Sequence, residues 1–244
     1  MGRTLGLIYG VVVYAFFLLV FLYAIAFVGD LPVPRTIDSG PAAPTLTAAI
    51  IDIALLALFA VQHSVMARPA FKAGWTRIVP QPVERSTYVL ASSLVLALLC
   101  WQWRPIPAVI WSVGGLAAVI LQAVFWLGWG VVLLSTFLIS HFELFGLSQV
   151  WANMQGRAAG APVFRTPLLY GFVRHPIYLG FVLAFWAAAT MTAGHLLFAV
   201  MTLGYILVAI QLEERDLIGM FGEAYAVYRR RVSMLIPLPP KSGG

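Results

Sequence analysis

Long apolar runs constrain this sequence more than any other feature. Residues 5–28 are almost unbroken in their apolar character, and five later stretches are also strongly apolar. A helix needs about 20 apolar residues to cross a bilayer core of about 30 Å. The chain is 61% hydrophobic and 10% charged, whereas soluble domains have about 25% charged residues. These features predict an integral membrane protein.

The apolar runs predict an all-α fold, a polytopic transmembrane helix bundle with about six spans. The first run is longer than the roughly 7–15 apolar residues of a signal peptide, so we expect it to be retained. The fourth run extends for 34 residues. As a helix it would measure about 50 Å, so it either extends beyond the membrane or breaks near residues 128–130. The predicted spans are residues 5–28, 45–66, 84–101, 107–140, 176–193 and 195–212.

The distribution of basic residues predicts the orientation. Six crossings place both termini on one side, and the segments on that side carry most of the arginines and both lysines, Lys72 and Lys241. The opposite segments carry only Arg35 and Arg104. Since positive loops are retained in the cytoplasm, we expect both termini to be cytoplasmic, with the protein in a bacterial inner membrane.

Composition also excludes several classes of partner. The net charge of +6 comes from loops between apolar runs, which favours contact with the lipid bilayer over nucleic acid. Cys100 is the only cysteine, so a disulfide or a cysteine metal site within the chain is impossible, and no metal site is predicted. We expect residues 1–244 to form a single domain, and the sequence makes no prediction of the oligomeric state.

Two polar clusters, residues 174–180 and 213–231, are separated by the last two predicted spans. If these spans form an antiparallel hairpin, Arg174 and His175 meet Glu213 and Glu214 at the cytoplasmic interface. Free N–H groups at the start of the fifth span, together with Arg174, would attract a carboxylate or phosphate. The glutamates would attract a cation, so the clusters suit a zwitterion. Two alternatives stay open: a structural Arg174–Glu214 salt bridge, and a membrane-surface belt formed by the tyrosines and arginines after residue 224.

The order of these motifs resembles the membrane methyltransferases, which include isoprenylcysteine carboxyl and phospholipid methyltransferases. The shared pattern is Arg-His-Pro-x-Tyr-x-Gly, Glu-Glu-Arg-x-Leu, Phe-Gly-x-x-Tyr-x-x-Tyr and Arg-Val-x-x-Leu-Ile-Pro, over residues 174–237. It departs at Ser233, where many relatives have proline. The resemblance implies S-adenosylmethionine as cofactor, held by a half of the chain at about residues 141–237.

The same resemblance implies a set of cofactor-binding residues. Arg174 and His175 would face the carboxylate of the methionine moiety, and Tyr178 would line the pocket. Either glutamate of the 213–214 pair would hold the ammonium or the ribose, and an arginine of the tail would close the pocket. The full set is Arg174, His175, Tyr178, Gly180, Glu213, Glu214, Arg229 and Arg230.

The first half of the chain is similar to the methanethiol S-methyltransferases, in residues 62–68, 84–88 and 135–147. That family converts methanethiol into dimethyl sulfide, and a thiolate is a far better nucleophile than a thiol. The resemblance therefore implies a need for a base or a positive field near the substrate. His63, His141 and Tyr88 are the candidate catalytic residues, although each could equally be an interfacial anchor, a helix cap or a core residue.

Two other functions stay open. The His63 segment and the Arg-His-Pro motif also resemble the nitric-oxide-reductase accessory protein NnrU, which suggests a haem-binding isomerase or accessory protein with His63 and His141 as axial ligands. A membrane assembly factor without enzymatic activity is the second. The long tail after Glu213 favours the methyltransferase.

Overall fold

The computed structural model describes residues 2–158, 160 and 163–238. Within these residues the fold is mainly helical, with two short strands. The elements in chain order are α1 (Arg3–Val28), α2 (Thr45–Ala67), α3 (Pro69–Trp75), α4 (Gln81–Gln102), β1 (Val109–Ser112), α5 (Gly115–Ile139), α6 (His141–Leu144), α7 (Leu147–Met154), a 3₁₀ turn (Leu168–Gly171), α8 (Pro176–Trp186), β2 (Thr190–Thr192), α9 (Ala193–Phe221) and α10 (Glu223–Arg231).

Five helices in the described part of the chain are long and apolar enough to cross a membrane: α1, α2, α4, α5 and α9. They contain 22 to 29 residues each, which corresponds to about 33–44 Å of helix. The prediction of a polytopic helical membrane protein is confirmed. The cytoplasmic placement of both termini stays a prediction.

The predicted fifth span, residues 176–193, is helical only in its first part. Helix α8 has 11 residues and measures about 16 Å, which is too short to cross a bilayer alone. The chain then becomes extended, and β2 pairs with β1. Ala189 accepts a hydrogen bond from the backbone N–H of Val113 at 2.9 Å. Paired strands therefore replace the tight helical hairpin that the apolar composition predicted.

The same strand pairing explains why the apolar run at residues 107–140 is longer than one membrane-spanning helix. Its beginning forms β1, and α5 starts only at Gly115. The remaining 25 residues span about 37 Å, so the helix fits a membrane and continues without a break through residues 128–130. The predicted break near residues 128–130 is therefore wrong, and the extension beyond the membrane stays a prediction.

The chain forms two compact units, each built from three segments. The first unit contains the described residues of Met1–Ile110, His141–Ala161 and Thr192–Phe198. Within it α1 packs against α4 and α7, and α2 packs against α4. Val13, Tyr88 and Val89 form a buried hydrophobic cluster there.

The second unit contains the described residues of Trp111–Ser140, Pro162–Met191 and Ala199–Gly244. The predicted cofactor half, residues 141–237, therefore does not coincide with one unit, because the described residues of His141–Ala161 and Thr192–Phe198 belong to the first unit.

Helices α5 and α8 pack against each other within the second unit at two glycines. A Cβ atom on Gly128 would lie 2.6 Å from the carbonyl oxygen of Gly180 and 2.7 Å from the backbone nitrogen of Ala184. A Cβ atom on Gly180 would meet the carbonyl oxygen of Gly128 at 2.6 Å. The backbones touch because neither residue has a side chain, and this contact positions the start of α8.

We expect Gly128→Ala to destabilise the protein by about 1–3 kcal/mol, because the methyl group collides with rigid backbone atoms. Gly130→Ala is the matched control, since nothing lies within 4 Å of a Cβ atom there. Thermal unfolding of the purified protein in detergent measures both. Equal unfolding temperatures for the two variants would contradict the close α5–α8 contact.

Candidate active site

The start of α8 lies beside the C-terminal tail in the second unit. Val173 forms a parallel bridge with Ser233. The backbone N–H of Arg174 donates to the carbonyl of Ser233 at 2.8 Å, and that of His175 donates to Met234 at 3.2 Å. These bonds fix the Arg-His pair at the N-terminus of α8, where His175 is the N-cap residue and Pro176 the first helical residue.

Glu214 is the centre of a buried ion cluster. Its side chain is 2% exposed, and its Oε1 atom lies 2.7 Å from Nε of Arg174 and 3.1 Å from Nε2 of His175. Its Oε2 atom lies 2.9 Å from Nε of Arg229. The structure therefore brings the two predicted clusters together. Three protein groups surround this carboxylate, and the Arg174–Glu214 salt bridge that the sequence left open is present.

Glu213 has a different environment, although it is the adjacent residue. Its side chain is 42% exposed. Its Oε2 atom accepts a hydrogen bond from the Tyr178 hydroxyl at 3.1 Å and lies 3.9 Å from Nδ1 of His175. Adjacent helical residues point about 100° apart, which separates the buried carboxylate from the accessible one. Glu213 is the more accessible carboxylate of the two.

Arg174 links four parts of the second unit through one guanidinium group. Besides Glu214, it donates from Nη1 to the carbonyl of Arg229 at 3.0 Å and to the carbonyl of Val232. In the part of the chain that the structure describes, these bonds use Nε and Nη1 and leave Nη2 available. A guanidinium nitrogen beside a helix N-terminus favours an anionic ligand.

Two of the predicted cofactor-binding residues have other partners. Gly180 contacts Gly128 of α5, as described above. Arg230 is 64% exposed and pairs with Glu223 at 2.7 Å on the surface of α10. These contacts explain both residues without a ligand, and their assignment to the cofactor stays a prediction.

Tyr225 is a residue of this cluster that the sequence analysis did not select. It is 2% exposed and packs against the rings of Phe164 and Tyr228 at 5.8 and 5.7 Å. The interpretation of this tyrosine as part of a membrane-surface belt is therefore wrong. The signal that could have identified it is the Phe-Gly-x-x-Tyr-x-x-Tyr motif, in which Gly222 adopts a positive φ of 58° and starts α10.

The Tyr225 hydroxyl is buried and has no hydrogen-bond partner among the described residues. Burial raises its pKa, the negative charge of Glu214 raises it further, and Arg174 opposes the shift. The phenol therefore stays protonated and can donate a hydrogen bond. The Tyr228 hydroxyl already donates to the carbonyl of Tyr170 at 2.6 Å.

The three predicted thiol-activating residues all belong to the first unit, where each of the two histidines lies beside a tyrosine hydroxyl. His63 Nε2 lies 2.8 Å from the Tyr88 hydroxyl, and Nδ1 lies 3.2 Å from Oγ of Ser92. The guanidinium of Arg85 lies 5.1 Å from the centre of the Tyr88 ring. The structure thus joins His63 to Tyr88 and adds Ser92, which the sequence analysis did not select.

His141 pairs instead with Tyr14. Its Nε2 atom lies 2.8 Å from the Tyr14 hydroxyl, and the Phe145 ring packs at 4.9 Å. Burial lowers the pKa of His141, so the imidazole is neutral at neutral pH. Nε2 of His63 and Nε2 of His141, the two candidate haem ligands, therefore each lie against a tyrosine hydroxyl. Over residues 2–158, 160 and 163–238, no group of three or more His, Cys, Asp or Glu side chains has the arrangement of a metal site.

Comparison with curated proteins finds relatives over nearly the whole chain. Methanethiol S-methyltransferase of Mycobacterium tuberculosis is 58% identical over 240 residues, which cover 98% of this chain and 98% of that protein. Methanethiol S-methyltransferase 1 of Bradyrhizobium diazoefficiens is 59% identical over 236 residues, covering 96% and 83%. Nurim of Rattus norvegicus is 32% identical over 181 residues, covering 68% and 66%. No protein-family model and no solved structure matches the chain.

We expect Glu214→Gln to lower the stability of the protein by about 3–5 kcal/mol, because it leaves Arg174 and Arg229 without their shared buried counter-charge. Glu223→Gln breaks the exposed pair with Arg230 and should cost at most about 1 kcal/mol. Unfolding temperatures in detergent compare the two variants. If both unfold at the temperature of the unsubstituted protein, Glu214 does not hold the second unit together.

Proposed function

The chain belongs to the methanethiol S-methyltransferase family, and we propose that it transfers a methyl group from S-adenosylmethionine to methanethiol, which gives dimethyl sulfide. The observation that carries the reaction is the 50–59% identity with six proteins of that name over at least 96% of the chain. These relatives do not favour the haem-binding alternative. The protein is an integral membrane enzyme, and we propose that it lies in the bacterial inner membrane with its cofactor site on the cytoplasmic side.

S-adenosylmethionine would supply a methyl group on its sulfonium sulfur. A deprotonated thiol would bond to that methyl carbon in line as the carbon–sulfonium bond breaks, giving dimethyl sulfide and S-adenosylhomocysteine. The polar groups of the second unit fit its amino-acid moiety, since they offer positive and negative charge in one cluster. Arg174 and Arg229 carry two positive charges, and Glu213 and Glu214 carry two negative charges. The cluster is therefore suited to a zwitterion rather than to a simple anion or cation.

The positive end of the proposed site is at the start of α8. Nη2 of Arg174 and the first free N–H groups of that helix would donate to a carboxylate. Glu214 and the carbonyls of Arg229 and Val232 hold the Arg174 guanidinium in one orientation, so its Nη2 atom is fixed in place for a ligand. His175 supports this end through Glu214.

The negative end is Glu213. Its carboxylate is accessible and is oriented by the Tyr178 hydroxyl. We assign to it the ammonium or the ribose hydroxyls of the cofactor. The Tyr225 hydroxyl, buried and without a partner in the described residues, supplies one more donor at the cluster.

The acceptor is small and apolar, so it can reach a membrane enzyme through lipid without a charged entrance. The bound thiol must lose its proton, and a hydrogen-bonded imidazole is a suitable acceptor. Our proposal assigns this work to His63 with Tyr88, or to His141, whose imidazole is neutral. These roles stay predictions.

The purified protein, given S-adenosylmethionine and methanethiol, should form dimethyl sulfide that gas chromatography detects. Glu213→Gln should raise the KM for the cofactor about tenfold or more, the effect of losing one charge-assisted hydrogen bond, with the unfolding temperature unchanged. Glu223→Gln is the matched control and should behave like the unsubstituted enzyme. Absence of dimethyl sulfide would overturn the proposed reaction, and an unchanged KM in Glu213→Gln would overturn only the assignment of that residue.

Tyr225→Phe removes a hydroxyl that has no protein partner in the described structure, so stability should be kept while cofactor binding weakens about tenfold. Tyr228→Phe removes a hydroxyl bonded to a carbonyl and should instead cost about 0.5–1.5 kcal/mol of stability. Calorimetry with S-adenosylmethionine and thermal unfolding separate the two effects. Unweakened binding by Tyr225→Phe would show that this hydroxyl does not touch the cofactor.

A further inference from the structure

An apolar groove of about 310 Å³ lies between the spanning helices α1 and α4 of the first unit. Its size falls at the lower end of the range of about 300–1,000 Å³ for small-molecule pockets. None of the polar groups assigned to the reaction lines it. The lining residues are Leu19, Val20, Tyr23, Ala97 and Trp101.

One cation is attached to the end of this groove. The guanidinium of Arg35 lies 3.8 Å from the centre of the Trp101 ring, and its Nη1 atom donates to the Trp101 carbonyl. The Tyr23 hydroxyl donates to the carbonyl of Arg35 at 3.0 Å and accepts from its N–H at 3.2 Å. Two of the residues that line the groove therefore also fix the position of the arginine.

We propose that this groove binds a membrane phospholipid, with one acyl chain between α1 and α4 and the headgroup phosphate on Arg35. Leu19 and Trp101 are 67% and 51% exposed on helices that cross the membrane, so the groove opens to lipid. A tryptophan and a tyrosine at the end of two spans mark headgroup depth. Arginine binds phosphate with two parallel N–H donors, and the bond to Trp101 leaves Nε and Nη2 for this contact in the described structure.

The chemistry of the groove decides between occupants. A small thiol would fill little of its volume. A soluble phosphate would use the cation and leave the apolar lining exposed. An amphipathic molecule with an anionic head uses both features, and the bilayer supplies it at high local concentration.

Native mass spectrometry of the full chain, released from detergent with palmitoyl-oleoyl phosphatidylglycerol, tests the proposal. We expect Arg35→Gln to reduce the bound lipid about tenfold, as expected for losing a hydrogen bond to a charged group. Ala97→Leu should also reduce it by occupying the groove. Arg104→Gln is the matched control for charge and should retain the lipid.

Each variant is first checked for its unfolding temperature in lipid-free detergent. Equal lipid binding by Arg35→Gln and the unsubstituted protein would overturn the proposal. Full displacement of the lipid by glycerol phosphate would also overturn it, since that result assigns the site to a soluble anion. Retention of lipid by Ala97→Leu would show that the chain does not enter the groove.

Discussion

The arrangement of the second unit depends on one buried carboxylate. Removing a charge from water is costly, so a buried glutamate must be surrounded by partners with good geometry. The partners of Glu214 come from separate segments: Arg174 precedes α8, and Arg229 belongs to α10. Satisfying this single charge fixes the end of α9, the start of α8 and the tail helix at once. The same partners bury Glu214, whereas its neighbour Glu213 is 42% exposed, which is why we propose Glu213 as the carboxylate that binds the cofactor.

The meeting of the two polar clusters could be predicted because it requires only that the chain cross the membrane and come back. The secondary structure of the returning segment could not be predicted. Apolar composition does not distinguish a long helix from a short helix followed by a strand, and the pairing of β1 with β2 depends on residues about 80 positions apart in sequence. The role of Gly180 was also hidden, because its partner Gly128 lies on another helix.

The candidate site shows the same limit at the level of side chains. His63, Tyr88 and His141 were selected because they lie in segments that resemble the methanethiol S-methyltransferases and because a thiol acceptor needs a base or a positive field. Their partners Ser92 and Tyr14 were not selected, since nothing in their sequence neighbourhood distinguishes them from ordinary helix residues. Tyr225 is the converse case. The sequence analysis noted its motif but not its burial. Tyr225 is buried because its ring packs against Phe164 and Tyr228, which the motif alone does not reveal.

The two units differ in chemistry in a way that matches the two proposed substrates. A charged, zwitterionic methyl donor needs fixed charges of both signs, and the second unit concentrates them around Glu214. A neutral thiol needs none until it loses its proton. The first unit offers an imidazole and hydroxyl pair at His63 and Tyr88, with the cation Arg85 beside the tyrosine ring. A positive charge favours the thiolate over the thiol, so we propose that Arg85 stabilises the deprotonated acceptor beside this pair.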